Sequence, residues 1–408
     1  MKKKILIITQ YYPPEVGGGS QRSVGFAEEF RDAGFDVTVI SPFPSYLIQK
    51  EEVITKNKLF EKSNQNGITL YNTFVYASDR GSFFSRMLYY LSFSFSSTLV
   101  ALLNVKKIDY HLTISPPLFN GISGMIIKMI KKSKFIFDIG DLWPESAIQL
   151  GFLKNKTAIN LAEGFEKIIY GKADFINAVT EVTQQKLKNK FPFIKRIFWV
   201  PNFVRTDLVV KREKKETLLN ELNLNKKFVI GYAGNIGGAQ GLKLLIDAAK
   251  LTLNNPEITY LIIGDGVERE ILEKEVKNYE LKNVLLLPPV NRDLILDYIS
   301  LFDVTVIPLV KNDLFRFTIP SKLYEAMSSE SPVILCVDGE ARKILEKSNC
   351  GVYCEPENEK DLAEKIEWMA DHKNNLMALG KAGRKYAIEN YDRKKIIERF
   401  SKMLIEDV

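Results

Sequence analysis

Histidine and cysteine are scarce in this chain of 408 residues: His111 and His372 are the only histidines, and Cys336, Cys350 and Cys354 the only cysteines. Two histidines so far apart offer little with which to build a histidine-based metal centre. Three clustered cysteines cannot form a disulfide framework, which points to a reducing compartment. Long apolar runs are missing as well. No uninterrupted stretch reaches the roughly 18–20 apolar residues that span a bilayer. The opening MKKKILIITQYYPP has only ILII as its apolar core, too short for a signal peptide, and reads as a first buried strand. A basic stripe interleaved with aromatics, the footprint of nucleic-acid binding, is not found. The formal charge of +7 still favours an anionic partner of some kind.

What remains is an ordinary globular composition, 46% hydrophobic and 26% charged, in a length that suggests two or three domains. Short β-branched runs alternate with helical patterns almost throughout. Strands are expected at 4–9, 36–40, 68–75, 110–114, 134–138, 174–179 and 196–200, then at 228–232, 259–263, 284–287, 304–307 and 333–336. Helical patterns between them include 20–33, 157–170, 241–254, 267–279, 292–301, 359–371 and 393–405. Apolar strands interleaved with helices predict parallel sheets covered on both faces. The pattern restarts near residue 226, after a charge-rich stretch at 206–225 that reads as a linker. Two doubly wound α/β domains across a cleft follow, with ligands expected beyond the carboxyl ends of the strands.

The most informative stretch is FTIPSKLYE, residues 317–325. Pro320 leads into a helix whose first turn carries Ser321 and Lys322, with Glu325 one turn on. A helix N-terminus with a lysine suits a phosphate, and a carboxylate on the same face can accept from a ribose diol. Together they point to a nucleotide. A plain capped amphipathic helix is the competing reading. Gly17, Gly18 and Gly19 follow the first strand and leave room for a ligand, with Arg22 expected to point into the cleft. A simple strand–helix connector is the alternative there. Gly234, Gly237, Gly238 and Gly241 surround Asn235 and Gln240 in a similar turn, which fits neither GxGxxG nor the P-loop spacing and so disfavours a dinucleotide oxidoreductase.

In FDIGDLWPESAIQLG, residues 137–151, Asp138 and Asp141 follow a strand, and Pro144 and Glu145 open a helix ended by Gly151. These carboxylates could serve as general base or steady positive charge on a sugar ring. One of them could simply cap the helix. Residues 82–104 are apolar and aromatic but interrupted by serines and Arg86. Arg80, Lys106 and Lys107 flank them, and Lys128, Lys131, Lys132 and Lys134 follow. Such a segment suits docking on anionic lipid, and equally a core helix.

Taken together, PPEVGG, RDAGFDVTVIS, ADFINAVTEVT, VPNFVRTD, IIGDGVERE, VLLLPPV and SKLYEAM…SPVI make the chain resemble the GT-B glycosyltransferases of family 4 over nearly its full length. DLWPES and GNIGGAQG resemble the branch of bacterial O-antigen and capsule enzymes that includes N-acetylfucosamine-type transferases. The resemblance implies two Rossmann-like domains: residues 1–203 for the acceptor, with a C-terminal helix at 390–408 packing back on it, and residues 204–389 for the nucleotide sugar. It implies retaining transfer of a sugar, an N-acetylated deoxyhexosamine, from a UDP-sugar to a polyprenyl-diphosphate-linked saccharide, without a metal or other cofactor. Asp141, Glu145 and Lys322 would be catalytic. Gly18, Arg22, Asn235, Gln240, Val290, Arg316, Ser321, Lys322 and Glu325 would bind the donor, with backbone near Val290 at the base edge and Glu325 on the ribose. A cytoplasmic enzyme, peripheral on the inner face of the plasma membrane, is implied as well.

The chain departs from the family at several points. Phe317 stands where a glutamate is usual, Asn235 and Gln240 where an arginine and a lysine are, and ISPP at 114–117 where a histidine is. Lys322, Arg316 and Arg22 are the expected replacements for the lost positive charge. His111 is expected to be a packed, satisfied histidine. A UDP-sugar 2-epimerase of the same architecture and an inactive nucleotide-binding subunit are the alternatives.

Overall fold

The computed structural model describes residues 2–15, 17–44, 58–76, 83–149, 153–291 and 294–406. Contacts divide the chain into two compact units, Met1–Asn202 with Arg393–Val408, and Phe203–Asp392. In the first unit the strands are β1 (Lys4–Ile8), β2 (Asp36–Pro42), β3 (Phe60–Gln65), β4 (Ile68–Thr73), β5 (Tyr110–Ser115), β6 (Lys134–Ile139), β7 (Phe175–Ala178) and β8 (Ile197–Trp199). They lie in the order β3-β4-β2-β1-β5-β6-β7-β8, all parallel except β3, which runs antiparallel to β4. The second sheet holds β9 (Phe228–Ala233), β10 (Ile258–Ile263), β11 (Val284–Leu287), β12 (Val304–Pro308), β13 (Val333–Cys336) and β14 (Gly351–Tyr353). Its order is β11-β10-β9-β12-β13-β14, wholly parallel.

The central strands have no polar face because helices cover both sides of each sheet. Ile5, Leu6, Ile7 and Ile8 of β1 are all fully buried, as is every residue of β10. At about 1.5–3 kcal/mol for each buried large apolar side chain, such strands are the main favourable term in folding each unit. Two strands were not legible from apolar pattern. β3 (FEKSNQ) is an exposed, polar edge, joined to β4 through Asn66 and Gly67 at positive φ, a hairpin signal carried by the dipeptide alone. β14 is a three-residue edge.

In both sheets the first strand is the point where the order reverses: β1 lies between β2 and β5, and β9 between β10 and β12. Crevices at the carboxyl ends of such strands are where α/β sheets hold ligands. The helix Phe83–Asn104 buries Tyr89, Phe93, Val100 and Ala101 against the first sheet. Among the described residues its Ser85–Asn104 portion is the one helix long and apolar enough, by length and composition, to cross a membrane. Gly151, Arg80 and Ser82, which figured in the sequence reading, lie outside the described residues.

Candidate active site

In the second unit the turn after β9 runs Gly234-Asn235-Ile236-Gly237-Gly238-Ala239-Gln240-Gly241 and interlocks with the turn after β10. Ile236 N–H donates to the Asp265 carbonyl at 2.8 Å, and Glu268 N–H donates back to the Ile236 carbonyl at 3.0 Å. Gly264 has φ +150, and a Cβ there would fall 1.8 Å from the Gly234 carbonyl oxygen, so the close approach of the two turns needs glycine. On the other side Val310 N–H, just past β12, donates to the Ala239 carbonyl at 3.1 Å. The turn is therefore clamped at the switch point between β9 and β12.

Lys322 enters this turn from the first turn of the helix Ser321–Ser328. Its side chain occupies the space that a Cβ on Gly234 would need: such an atom would lie 2.5 Å from Lys322 Cε and 2.6 Å from Nζ. Nζ stands 5.0 Å from the centroid of the Tyr232 ring. Desolvation in this setting lowers the Lys322 pKa, opposed by the nearby charge of Glu325. An arriving phosphate would restore the charged form. Ser321 and Glu325 are exposed on the same helix, one turn apart. Val290 follows β11 and is half-buried against the core cluster that includes Leu261, Ile263, Leu301 and Phe302.

Asn235 and Gln240 come together. Asn235 Nδ2 donates to Gln240 Oε1 at 3.1 Å, and Gly237 N–H donates to the same oxygen at 3.2 Å. The two amides thus shape the turn as well as facing it. Arg316 sits in a 3-10 turn, Asp313–Phe317, and its exposed guanidinium pairs with Asp338 at 3.3 Å. It borders a surface pocket of about 290 Å³ that includes Lys311, Asn312 and Glu355. An exposed pair of this kind is worth about 0–1 kcal/mol, so a phosphate could compete for the arginine.

The first unit corrects one expectation. Arg22 does not offer its guanidinium to a ligand; all five of its N–H groups are used inside the domain. Nε and Nη2 grip Asp138 at 2.7 and 2.6 Å, Nη2 also donates to Val200 O at 2.9 Å, and Nη1 donates to Pro201 O at 3.0 Å and Asn202 Oδ1 at 3.3 Å. The pair is buried, with Asp138 at 0% exposure. Its place on the buried face of the helix Gly18–Asp32, over the Phe26 ring, makes it a staple between β6 and the segment after β8. Gly18 opens that helix and is exposed.

Asp141 and Glu145 lie beyond the carboxyl end of β6. Asp141 is exposed, yet the protein around it raises its carboxyl pKa by desolvation, a rise that its access to water limits. Glu145 begins the helix Glu145–Gln149 and pairs with Lys186 at 2.9 Å. That pairing engages the Glu145 carboxylate with a lysine. His111 is buried between Gly124 O and Ser133 Oγ, both at 2.9 Å, and stacked on Phe135, as the sequence suggested. Burial lowers its pKa to about 4.

Sequence reasoning did not single out Tyr232, whose hydroxyl donates to the Asn235 carbonyl at 2.6 Å. Trp143 was expected to stand with the acidic residues after β6, but not its aromatic neighbours: Phe119 meets Tyr90, Trp143 and Phe165 at 6.4, 5.5 and 5.8 Å between ring centroids. The aromatic group is assembled from distant segments, so no local signal marks it; Tyr232 lies in a strand whose apolar run hides its hydroxyl.

Residues 16–208 match the family model of Glycosyltransferase Family 4, and residues 214–386 match that of Glycosyl transferases group 1. A protein of Escherichia coli K12 described as a colanic acid biosynthesis glycosyl transferase, WcaI, is 24% identical over 97% of this chain and 98% of its own length. A poly(ribitol-phosphate) alpha-N-acetylglucosaminyltransferase of Staphylococcus aureus is 22% identical over 58% of this chain and 45% of its own. Sucrose-phosphate synthase from Thermosynechococcus elongatus shares the fold with a TM-score of 0.75 at 16% identity, covering 99% of both chains. HepE from Anabaena, solved with UDP-glucose, does so with a TM-score of 0.71 at 14% identity, again over 99% of both. Two doubly wound units, the interlocked glycine turns of the second and family matches running through both make this chain a GT-B glycosyltransferase of family 4.

Proposed function

We propose that the chain transfers a sugar, an N-acetylated deoxyhexosamine, from a UDP-sugar to a polyprenyl-diphosphate-linked saccharide, with retention at the anomeric carbon, in the assembly of a bacterial surface polysaccharide. The observation that carries the reading is Lys322, desolvated at a helix N-terminus and laid across the glycine turn of β9. Charge develops on the leaving diphosphate in the transition state, and a preorganised cation there stabilises it. One charge-assisted contact of this kind is worth about 1.5–3 kcal/mol. Ser321 and the first turn of the helix add backbone dipole, Glu325 takes the ribose, and backbone near Val290 meets the base. In this reading Lys322 and the helix supply the positive field without a divalent metal. Asp141, with Glu145 behind it, serves the acceptor hydroxyl or the reacting sugar. The relatives in colanic acid and poly(ribitol-phosphate) chemistry support a cell-surface glycan as product, and HepE with UDP-glucose supports a UDP donor. Neither histidine stands in the site, since His111 is packed and His372 stacks on Trp368, which weighs against a histidine-dependent epimerase.

A cytoplasmic membrane surface is the proposed workplace. The helix Phe83–Asn104 leaves Leu88, Leu91, Phe95 and Leu103 exposed, with Phe95 and Leu103 each at 71%. Met129 and Ile130 are exposed at the end of the helix Asn120–Lys131, and Lys106, Lys107, Lys132 and Lys134 are exposed beside these segments. Apolar side chains beside lysines suit anionic lipid.

The test is nucleotide release from UDP-, GDP- and ADP-sugars in the presence of a synthetic polyprenyl-diphosphate saccharide. Acceptor-dependent release from a UDP-N-acetyl sugar, lost in Lys322→Ala, supports the reading. UDP binding with no release from any donor would move the chain to a non-catalytic role.

A further inference from the structure

We propose that Tyr232 is the positioning residue for Lys322, so that the two act as one unit in holding the donor diphosphate. The inference rests on the nucleotide-sugar reading above. Tyr232 is the penultimate residue of β9 and is 1% exposed. Its hydroxyl donates to the Asn235 carbonyl at 2.6 Å, three residues on in the β9 turn, which fixes the ring beside Gly234. Its ring carries Lys322 Nζ at 5.0 Å, inside the roughly 6 Å reach of a cation–π contact. One side chain therefore touches both halves of the site, the glycine turn and the helix of Lys322.

A lysine needs such a partner here. Its stem has four rotatable bonds and its ammonium is a compact point charge without the fixed fork of arginine. Holding it over Gly234 costs side-chain entropy of up to about 2 kcal/mol. Desolvation further disfavours its charged form. The ring face offers negative potential where the ammonium sits, and the space left by the missing Cβ of Gly234 accepts the stem. An aliphatic residue of similar size would fill the core at position 232 and do neither.

The experiment measures UDP binding by calorimetry on the full chain as wild type, Tyr232→Phe, Tyr232→Leu, Lys322→Met and the double variant Tyr232→Leu/Lys322→Met, with thermal unfolding followed for each. Tyr232→Leu should weaken UDP binding about five- to thirtyfold, the range for a desolvated cation–π contact. Tyr232→Phe, which keeps the ring, should lose less than about threefold. In the Lys322→Met background Tyr232→Leu should change the Kd by less than about twofold, because its effect passes through the lysine. Equal losses in both backgrounds, or a Tyr232→Leu protein that binds like wild type, would overturn the inference while leaving the nucleotide reading intact. Wild-type protein that binds no nucleoside diphosphate would remove the reading and the inference with it. Should Tyr232→Leu fail to fold, Tyr232→Met removes the ring while keeping a long apolar side chain and decides the matter in the same way.

Discussion

Substituting Gly234 by alanine probes the site without replacing a charged group. Gly234 has φ +144, a backbone state essentially reserved for glycine, so alanine there carries strain on the order of 1–3 kcal/mol. Its new methyl would also lie 2.5 Å from Lys322 Cε and 2.6 Å from Nζ. Backbone cannot yield easily at this position, because the turn is bonded to β10 through Gly234 N–H and Ile236 N–H. The lysine side chain is the softer partner and must leave. We therefore expect two separable effects. Thermal stability should fall by about 2–4 °C for each kcal/mol of strain in a unit of this size. UDP affinity should fall about ten- to a hundredfold, the value of one charge-assisted phosphate contact. Calorimetric titration with UDP, well below the unfolding transition, reads the second effect free of the first. The decisive comparison is with Lys322→Met: the Gly234→Ala/Lys322→Met double variant should bind UDP nearly as Lys322→Met does. A Gly234→Ala protein that keeps wild-type affinity would refute the idea that the glycine exists to admit the lysine.

Arg22→Met leaves Asp138 as an unpaired buried carboxylate and should destabilise the first unit by about 3–5 kcal/mol, while UDP affinity of the folded protein stays within about twofold; a selective loss of affinity would return Arg22 to the donor site. Asp141→Asn should abolish turnover more completely than Glu145→Gln. If Asp141 is the proton acceptor, its raised pKa places the acid limb of kcat/KM above the ordinary carboxylate range, with activity lost as pH falls through it. An unchanged acid limb in a residually active Asp141→Asn protein would exclude that role. His111, neutral in the fold with a pKa of about 4, takes up a proton more readily when unfolded. Stability should then decline as pH falls from about 6.5 toward 4, by up to about 3 kcal/mol, and His111→Gln should flatten the decline in denaturant titrations. Because desolvation lowers the Lys322 pKa and phosphate restores it, UDP binding should weaken on the alkaline side, below the usual lysine range, with proton uptake visible as buffer-dependent heat.

Much of the architecture was legible in the chain because parallel sheets demand it. Runs such as KILII and ITYLII can only be buried strands in a chain this polar elsewhere, and strand, glycine turn and helix in succession mark a doubly wound unit. β3 was not legible because an exposed polar edge strand gains nothing from apolar alternation. Local placement was legible where one segment carries it, as with Ser321, Lys322 and Glu325 at the start of a single helix, or the satisfied His111 on β5.

Where two distant segments decide a side chain's fate, sequence order misleads. Arg22 follows a glycine-rich turn just as a ligand-binding arginine would, yet Asp138, 116 residues away, claims it. Composition, periodicity and turn chemistry are properties of neighbours in the chain, and they determined the buried strands and the helices that cover them. Which charges stay available to a ligand is settled by partners brought in from elsewhere, because a buried ion must be neutralised by whatever the packed structure places beside it. Tertiary structure alone therefore removed Arg22 from the site and seated Lys322 on Tyr232 over Gly234.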